Sequence, residues 1–207
     1  EKLPSMPQFS DPNEIIVDNE DPGFIPSKQT SVSPLKNLLG INNKKGKTYT
    51  RVSLYNVPEY WQSAVQSSYY GKYIRSSVYT RGGTGDKAIT WTTIIKEPGY
   101  YNVYCYIGKT VDRMNVRLGG GQRGSGGTRR AIEAPGSQQE DNPYKEKHYK
   151  IYHDEGVENI TLDYENAEGG WNSLGRYYLS PDTAKVVLTN QSSGRVVIGD
   201  AIKWEKR

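Results

Sequence analysis

The sequence predicts an all-β protein: a single antiparallel β-sandwich, jelly-roll-like, with two long loop insertions. Three observations point to this fold class. The 207 residues include 17 Tyr but only 2 Phe and 2 Met, and tyrosine favours pleated, half-buried surfaces. The 22 Gly and 11 Pro interrupt helices and supply turns. Short runs of alternating apolar and polar residues recur along the chain, and its length suits one sandwich domain.

The N-terminal part contains the lead-in and the first insertion. Residues 1–13 are polar and proline-containing, which predicts an extended linker ahead of a sandwich domain over residues 14–207. Residues 15–17 predict a short strand, ended by the turn residues 18–23. The first insertion is expected at about residues 25–58, which hold prolines, glycines and one brief apolar cluster.

Strand-like segments then follow one another, separated by Gly- and Pro-containing turns. They are EYWQSAV, YYGKYIRSSVYT, KAITWTTII, GYYNVYCYIG, HYKIYH, ENITLDY, WNSLGRYYL, AKVVLTN and RVVIGDAIKW. Nine or ten strands are expected in all. The turns that join the last four strands are too short for a crossover helix, so we expect these strands to pair antiparallel. The second insertion, about residues 109–147, breaks the periodicity and contains an arginine- and glycine-rich tract.

Charge is unevenly distributed along the chain. The formal net charge is +4, yet residues 28–51 carry a net +6 and residues 109–130 a net +5, which leaves −7 for the remainder. If both basic loops lie on one side, they should attract an anionic polymer at low salt and lose it as salt screens the charges. A protein partner could also dock on them, since Arg is common at interface cores.

Several classes of site and partner are disfavoured by the residues present. No apolar run approaches the length of a membrane span. Cys105 is the only cysteine, which excludes an internal disulfide and predicts a small buried thiol. His148 and His153 are five apart near one strand, so they project to opposite faces and cannot easily share a metal. No metal and no cofactor is expected.

The glycine-rich tract does not predict nucleotide or nucleic-acid binding. Gly119, Gly121 and Gly124 satisfy the spacing of a dinucleotide loop, but no amphipathic helix follows them. No aromatic residue lies between Lys109 and Arg130, so the stacking part of a single-stranded nucleic-acid site is missing. No nucleic-acid partner is expected.

Catalytic motifs are sparse. A serine elbow of the G-x-S-x-G type is absent from the sequence. Asp163 and Glu165, two apart on a predicted strand, are a conceivable carboxylate pair for a glycosidase, but surface strands carry such pairs routinely. We therefore expect no catalytic residues.

Aromatic residues give the best candidates for a binding site. Trp91 and Trp204 lie among aliphatic residues and predict core positions. Trp171 follows two glycines at a turn, where core packing is favoured but a position at the sandwich edge is open. The candidate ligand-binding residues are Tyr69, Tyr70 and Trp171 as stacking platforms, with Asn172 and Arg176 as polar partners, the arginine able to bind a uronate or pyruvate carboxylate.

Read in order, seven segments resemble the golvesin C-terminal-like domain, which is also found as a carbohydrate-binding-like domain of bacterial xanthan lyases. The segments are IIVDNEDPGF, WQSAVQSSYYGKY, GTGDKAITW, GYYNVYCY, YKIYHDEG, GGWNSLG and VVIGDAIKW, and they span residues 15–205. Both insertions depart from the family pattern. The resemblance implies a jelly-roll-like module of a secreted bacterial protein, usually attached to enzymes that act on extracellular polymers.

These observations favour a non-catalytic carbohydrate-binding-like module that binds an extracellular polysaccharide, with anionic polymers among the candidates. The expected location is outside the cell or at the cell surface, and an outer-membrane-associated or periplasmic location stays open. One alternative is a protein-interaction or assembly subunit of an outer-membrane or secreted complex, which docks a partner through the basic loops. A third is a polysaccharide lyase or glycosidase. The chain starts at Glu1 without an apolar leader, so we expect either a processed mature protein or an excised domain.

Overall fold

The computed structural model describes residues 13–27, 47–109 and 142–207. Most of the expected lead-in and most of both basic segments, including the glycine-rich tract, lie outside the described residues. The predictions made for those segments therefore stay predictions.

The described residues form twelve strands and no helix. The strands are β1 (Glu14–Val17), β2 (Phe24–Pro26), β3 (Gln62–Val65), β4 (Ser76–Arg81), β5 (Ala88–Ile94), β6 (Gly99–Ile107), β7 (Glu146–His153), β8 (Gly156–Asp163), β9 (Gly170–Leu179), β10 (Thr183–Thr189), β11 (Val196–Gly199) and β12 (Ile202–Lys206). None of the described segments is a helix able to span a membrane. The all-β prediction is confirmed.

The strands form three antiparallel sheets. A four-stranded sheet has the order β1-β12-β6-β9, a five-stranded sheet the order β2-β5-β10-β7-β8, and a three-stranded sheet the order β11-β4-β3. Strand β11 continues into β12 after two residues, so the three- and four-stranded sheets follow each other in one layer. The close contact of Gly199 in β11 with Ile89 and Trp91 in β5 shows that this layer packs on the five-stranded sheet. The antiparallel sandwich is confirmed, whereas the jelly-roll pattern of connections stays a prediction.

The prediction that the last four strands pair with one another is wrong. Strand β8 pairs with β7, β9 pairs with β6, β10 lies between β5 and β7, and β11 pairs with β4. The strands are antiparallel, but consecutive strands from β8 to β11 do not pair with each other. The short turns carry the chain from one layer to the other, where each strand buries its apolar side against the opposite sheet.

Two segments differ from their sequence-based assignment. The beginning of the first expected insertion forms β2, which adds to the edge of the five-stranded sheet through pairing with β5. The segment RVVIGDAIKW forms two strands, β11 and β12, which are separated by Asp200 and Ala201. The chain therefore changes partners within what the sequence pattern presents as one strand.

The core between the layers contains the tryptophans that the sequence assigned to it. Trp91 and Trp204 are fully buried, as predicted. Cys105 is a buried free thiol, and burial raises its pKa to about 11. It interacts with Tyr149 of β7 across the sandwich.

Asp200 lies where the three sheets meet. Its main-chain carbonyl accepts a hydrogen bond from the indole N–H of Trp91 at 3.0 Å, which joins the two layers. Its Oδ2 accepts the backbone N–H of Tyr70 at 3.2 Å. The next carbonyl, that of Ala201, accepts the N–H of Tyr106 at 2.9 Å. Burial raises the pKa of Asp200 well above its ordinary value, and the Tyr70 N–H and Lys147 act in the opposite direction.

Other ionisable groups are also buried. Lys147 points into the sandwich, and burial lowers its pKa to about 8. Asp18, in the acidic turn after β1, has a pKa raised to about 7, first by burial and then by Asp21 and Glu20, although the N–H of Asn19 stabilises the charged form. A raised carboxyl pKa means that the folded state holds a proton that the unfolded chain has released.

Stability should therefore fall as pH rises across the range set by Asp18. Between its ordinary pKa of 3.8 and the folded value of about 7, the folded protein binds more protons than the unfolded chain. In Asp18→Asn, the amide is neutral in both states, and its oxygen can still accept the Asn19 N–H. We expect the free energy of unfolding, measured by urea denaturation from pH 4 to 7, to fall less steeply in this variant than in the wild type.

The matched control is Asp154→Asn. The pKa of Asp154 is lowered by the hydroxyl and N–H of Ser180, so its contribution to stability is lost as pH falls. In Asp154→Asn, the free energy of unfolding should fall between pH 4 and 7 at least as steeply as in the wild type. Equal slopes in wild type and Asp18→Asn would contradict the assignment.

Candidate functional site

The outer side of β6 carries a row of polar aromatic residues. Side chains alternate along the strand, so that Tyr101, Val103, Cys105 and Ile107 enter the core. Tyr100, Asn102, Tyr104 and Tyr106 face outward and are half-buried or exposed. The tyrosine-rich sequence of this strand thus separates into an apolar inner row and an aromatic outer row.

A β-bulge in β9 extends this surface across the neighbouring strand. Tyr106 and Tyr104 lie opposite Trp171 and Ser173, but the next residue of β6, Val103, lies opposite Gly175. Leu174 is the additional residue, and its side chain is buried. Trp171 and Arg176, five residues apart, would face opposite sides of a regular strand, whereas the bulge keeps both on the outer side.

Three rings form a cluster at one end of this surface. The ring centroids of Tyr70 and Trp171 lie 5.3 Å apart, those of Tyr106 and Trp171 5.1 Å apart, and those of Tyr70 and Tyr106 5.5 Å apart. All three rings are half-buried. Burial raises the pKa of Tyr70, so its hydroxyl keeps its proton at neutral pH. The rings therefore pack on one another and leave part of their surface open.

A buried cation lies beside this cluster. Lys203 of β12 is opposite Tyr104 in the ladder, and its Nζ lies 4.8 Å from the Tyr104 ring centroid and 5.3 Å from that of Trp171. The ammonium group is neutralised by Glu14, whose Oε1 is 2.7 Å away. The cation–π contacts fix the orientation of both rings.

A second group of rings lies further along the same strands. Tyr100 and Tyr178 are directly opposite each other and pack edge to face at 5.3 Å. The guanidinium carbon of Arg176 lies 4.8 Å from the Tyr100 ring centroid. Tyr100 is 50% exposed, so this end of the surface is more open than the first.

We call this surface the aromatic face. Its members are Tyr70, Tyr100, Tyr104, Tyr106, Trp171, Arg176, Tyr178 and Lys203. From Tyr106 to Tyr100 it follows six residues of β6, or about 20 Å at the rise of a strand. Rings of this kind offer apolar faces with hydroxyl or indole groups at their edges, and Arg176 offers a planar donor for carboxylates.

Three of the five predicted ligand-binding residues lie on the aromatic face. Tyr70, Trp171 and Arg176 are brought together there by the sheet and the bulge. Tyr69 is only 2% exposed and packs against Gly108 in the core, so its ring offers no face to a ligand.

Asn172 holds the preceding turn instead of facing outward. Its Oδ1 accepts the N–H of Glu168, and its Nδ2 donates to the carbonyls of Glu168 and Gly170. Because these bonds use both ends of the amide, Asn172 positions Trp171 and has no donor directed toward the aromatic face.

Sequence reasoning missed several members of the face. Tyr104 and Tyr106 were assigned only to a strand, and Lys203 was not considered. The alternation in GYYNVYCYI was the signal for the tyrosines, because it puts every second residue on the same strand face as Tyr106. The signal for Lys203 was its position between two apolar residues, Ile202 and Trp204, both of which are buried.

The carboxylate pair suggested by the sequence has a different arrangement in the structure. Asp163 ends β8 and Glu165 lies in the following turn, so they do not share a strand face. Both oxygens of Asp163 accept hydrogen bonds, from the N–H of Glu165 and the amide of Asn166. Asp163 stabilises the turn. Within the described ranges, no cluster of three or more His, Cys, Asp or Glu has the arrangement of a metal site.

Comparison with protein families confirms the resemblance that the motifs suggested. The family described as the Golvesin C-terminal domain matches residues 135–206, about the last third of the chain. The match includes β7 to β12, and with them Trp171, Arg176 and Lys203. No match was found among curated proteins.

Solved structures show where the whole fold recurs. A Paenibacillus xanthan lyase is similar at a TM-score of 0.58 and 17% identity, over 94% of this chain and 13% of that chain. A Podospora anserina GH26-CBM35 β-(1,4)-mannanase matches more weakly, at a TM-score of 0.38 and 12% identity over 73% of this chain and 27% of that chain. The chain thus spans a small part of the xanthan lyase, and the likeness concerns the fold.

The bulge depends on Gly175, which provides a test of the geometry of the face. Gly175 has φ +129°, and a Cβ there would collide with the hydroxyl of Tyr177, which donates to the carbonyl of Leu174 at 2.8 Å. In Gly175→Ala, the positive φ costs about 1–3 kcal/mol of backbone strain, and the collision with Tyr177 destabilises the fold further. We expect the melting temperature to fall by about 2–4 °C per kcal/mol lost.

Gly156→Ala is the control, because Gly156 has a similar φ of +133° but no atom near the position of a Cβ. It should lower the melting temperature less than Gly175→Ala does. Equal losses would show that the Tyr177 contact does not determine the geometry of the bulge.

Proposed function

We propose that this chain is a non-catalytic carbohydrate-binding module of a secreted or cell-surface bacterial protein, and that the aromatic face binds extracellular polysaccharide. The observation that carries the proposal is the cluster of Tyr70, Tyr106 and Trp171, three partly open rings held together beside the cation of Lys203.

The chemistry of the face suits a sugar. A pyranose ring has C–H groups on its faces and hydroxyls around its edge, so it can stack on an aromatic ring while donating and accepting hydrogen bonds at the sides. Tyrosine hydroxyls and the indole N–H supply such partners next to the stacking surfaces. Because the rings are already fixed by mutual packing and by Lys203, little conformational entropy is lost on binding.

The shape of the face favours a polymer over a single sugar. The two ring groups lie at opposite ends of the outer side of β6 and β9, with Asn102 between them. An extended chain can contact both groups at once. Once one group is bound, contact with the other is intramolecular, which raises the overall affinity. The fold shared with part of a xanthan lyase supports this assignment by analogy.

Arg176 favours an acidic polymer. Its guanidinium is exposed on the face and stacks on Tyr100. In the described ranges, no Asp or Glu forms an ion pair with it. A guanidinium held flat in this way can bind a carboxylate through two parallel hydrogen bonds. A uronate or pyruvate group on the polysaccharide would supply that carboxylate.

Docking of a protein partner on the basic segments remains the alternative from the sequence. Those segments lie mostly outside the described residues, and the lysines at their described ends, Lys47 and Lys109, already contact Glu20 and the carbonyls of Tyr164 and Glu165. The aromatic face therefore carries the proposal on its own.

Loss of one ring should weaken binding without unfolding the domain. Trp171→Ala removes the ring that contacts both Tyr70 and Tyr106, and we expect its affinity for the best ligand in a panel of acidic and neutral polysaccharides to fall more than tenfold, about 1.4 kcal/mol. Affinity electrophoresis identifies the ligand, and isothermal titration measures the change. Tyr106→Ala serves as a second variant, and thermal melts establish that both are folded.

The control is Tyr152→Ala, on the outer side of the five-stranded sheet. Tyr152 is also half-buried and also contacts a cation, since Lys185 Nζ lies 3.5 Å from its ring centroid. This variant should bind as the wild type does. Failure of the wild type to bind any polysaccharide, or an equal loss in Tyr152→Ala, would overturn the proposal.

A further inference from the structure

A second, separate feature of the surface is a basic cleft of about 450 Å³. It is lined by Tyr55, Val57, Arg81, Gly82, Asn142, Pro143, Lys145, Ser193, Gly194 and Arg195, none of which belongs to the aromatic face. We infer that this basic cleft binds the carboxylate of an acidic sugar, with Arg195 as the group that holds the anion.

The walls of the basic cleft are fixed by main-chain hydrogen bonds. The N–H of Gly82 donates to the carbonyl of Arg195 at 3.0 Å, and the N–H of Val196 donates to the carbonyl of Pro143 at 3.0 Å. The N–H of Arg81 donates to the carbonyl of Pro58 at 2.9 Å. Three loops are thus joined to the ends of β4 and β11, so the cleft exists before a ligand arrives.

Two glycines allow these loops to meet. A Cβ on Gly82 would collide with the carbonyl oxygen of Gly194. A Cβ on Gly194 would lie 2.8 Å from the backbone nitrogen of Lys145 and 2.9 Å from the carbonyl oxygen of Pro143. Side chains at either position would push the loops apart. The bottom of the cleft is therefore bare main chain, which leaves room for a ligand above it.

The lining residues include three cations and no Asp or Glu, and the neighbouring carboxylate of Glu146 accepts the N–H and the hydroxyl of the lining residue Ser193. The ionisable side chains of the lining are Arg81, Arg195 and Lys145, together with the phenol of Tyr55. Arg81 is already paired with Glu59, whose Oε1 is 2.9 Å from its Nη1. Arg81 therefore contributes less to attracting an anion than Arg195 does.

Arg195 is the cation in the basic cleft that is ready for a ligand. Its Nη1 donates to the carbonyl of Leu54 at 3.2 Å, which orients the guanidinium. Within the described part of the chain, no Asp or Glu forms an ion pair with it. Because this hydrogen bond uses only one N–H of the exposed guanidinium, other N–H groups can still form two parallel hydrogen bonds to a planar carboxylate.

The remaining features favour a sugar acid over a small inorganic anion. Tyr55 lines the same cleft as Arg195 and is 80% exposed, so its ring offers a stacking surface to a ligand. The volume lies within the range of small-molecule sites and exceeds what a bare phosphate or sulfate would fill. A uronate places a carboxylate on a ring of suitable size, whether it is a free sugar or a unit of a polymer.

An NMR titration of the full chain with glucuronate tests the inference, with glucose as the neutral control. Glucuronate should shift amide signals at Gly82, Gly194 and Arg195, and glucose should not. Arg195→Ala should lower the affinity for glucuronate by about tenfold or more, as expected for a charge-assisted hydrogen bond. Arg75→Ala is the matched control, because Arg75 is also exposed and also donates from Nη1 to a backbone carbonyl, that of Ser67 at 2.6 Å.

Two further arms separate this site from the aromatic face and identify the source of the acid. First, the affinity of the basic cleft is taken from the amide signals of Gly82, Gly194 and Arg195 alone, so that glucuronate bound beside Trp171 and Arg176 is followed separately by the signals of those two residues, and the cleft signals should shift even if those of the aromatic face do not. Second, tighter binding of a short oligoglucuronate than of glucuronate would assign the cleft to a polymer, and equal binding would assign it to a single sugar. The inference is overturned if glucose binds equally, if Arg195→Ala retains full affinity, or if inorganic phosphate competes as well as glucuronate.

Discussion

The buried joint at Asp200 is the interaction on which both the sandwich and the aromatic face depend. Its main-chain carbonyl accepts the indole N–H of Trp91 from the opposite layer, and its side chain accepts the N–H of Tyr70. Burial raises the pKa of this carboxyl, which favours the neutral form and reduces the cost of keeping it in the core. The same residue that joins the layers therefore also holds Tyr70 against Trp171.

The aromatic face is built by two departures from regular β-structure. The break between β11 and β12 creates the joint at Asp200, and the bulge at Leu174 in β9 shifts the outward side of the strand by one residue. A regular β9 would have turned Arg176 toward the core, where an unpaired guanidinium is costly. The proposed binding surface thus comes from irregular positions in a regular scaffold, which agrees with the general location of bulges near functional sites.

The sequence predicted the fold class and part of the site. Alternation and turn residues were sufficient to identify most strands and to assign Trp91 and Trp204 to the core, because burial of one strand face is a local pattern. Tyr69 and Tyr70 are adjacent in a loop, where alternation does not decide which ring is buried; the hydrogen bond from Tyr70 to Asp200, 130 residues away, decides it. The pairing partners of β8 to β11 also depend on contacts between distant segments, and turn length alone does not specify them.

We propose that polysaccharide binds along the outer side of β6 and β9. The most direct measurement is an amide NMR titration of the full chain with oligosaccharides from the polysaccharide that binds best. We expect the largest shifts at Tyr104, Tyr106 and Trp171, and we expect them to extend toward Arg176 as the oligosaccharide is lengthened. Shifts confined to the outer side of the five-stranded sheet, around Tyr152 and Lys185, would contradict it.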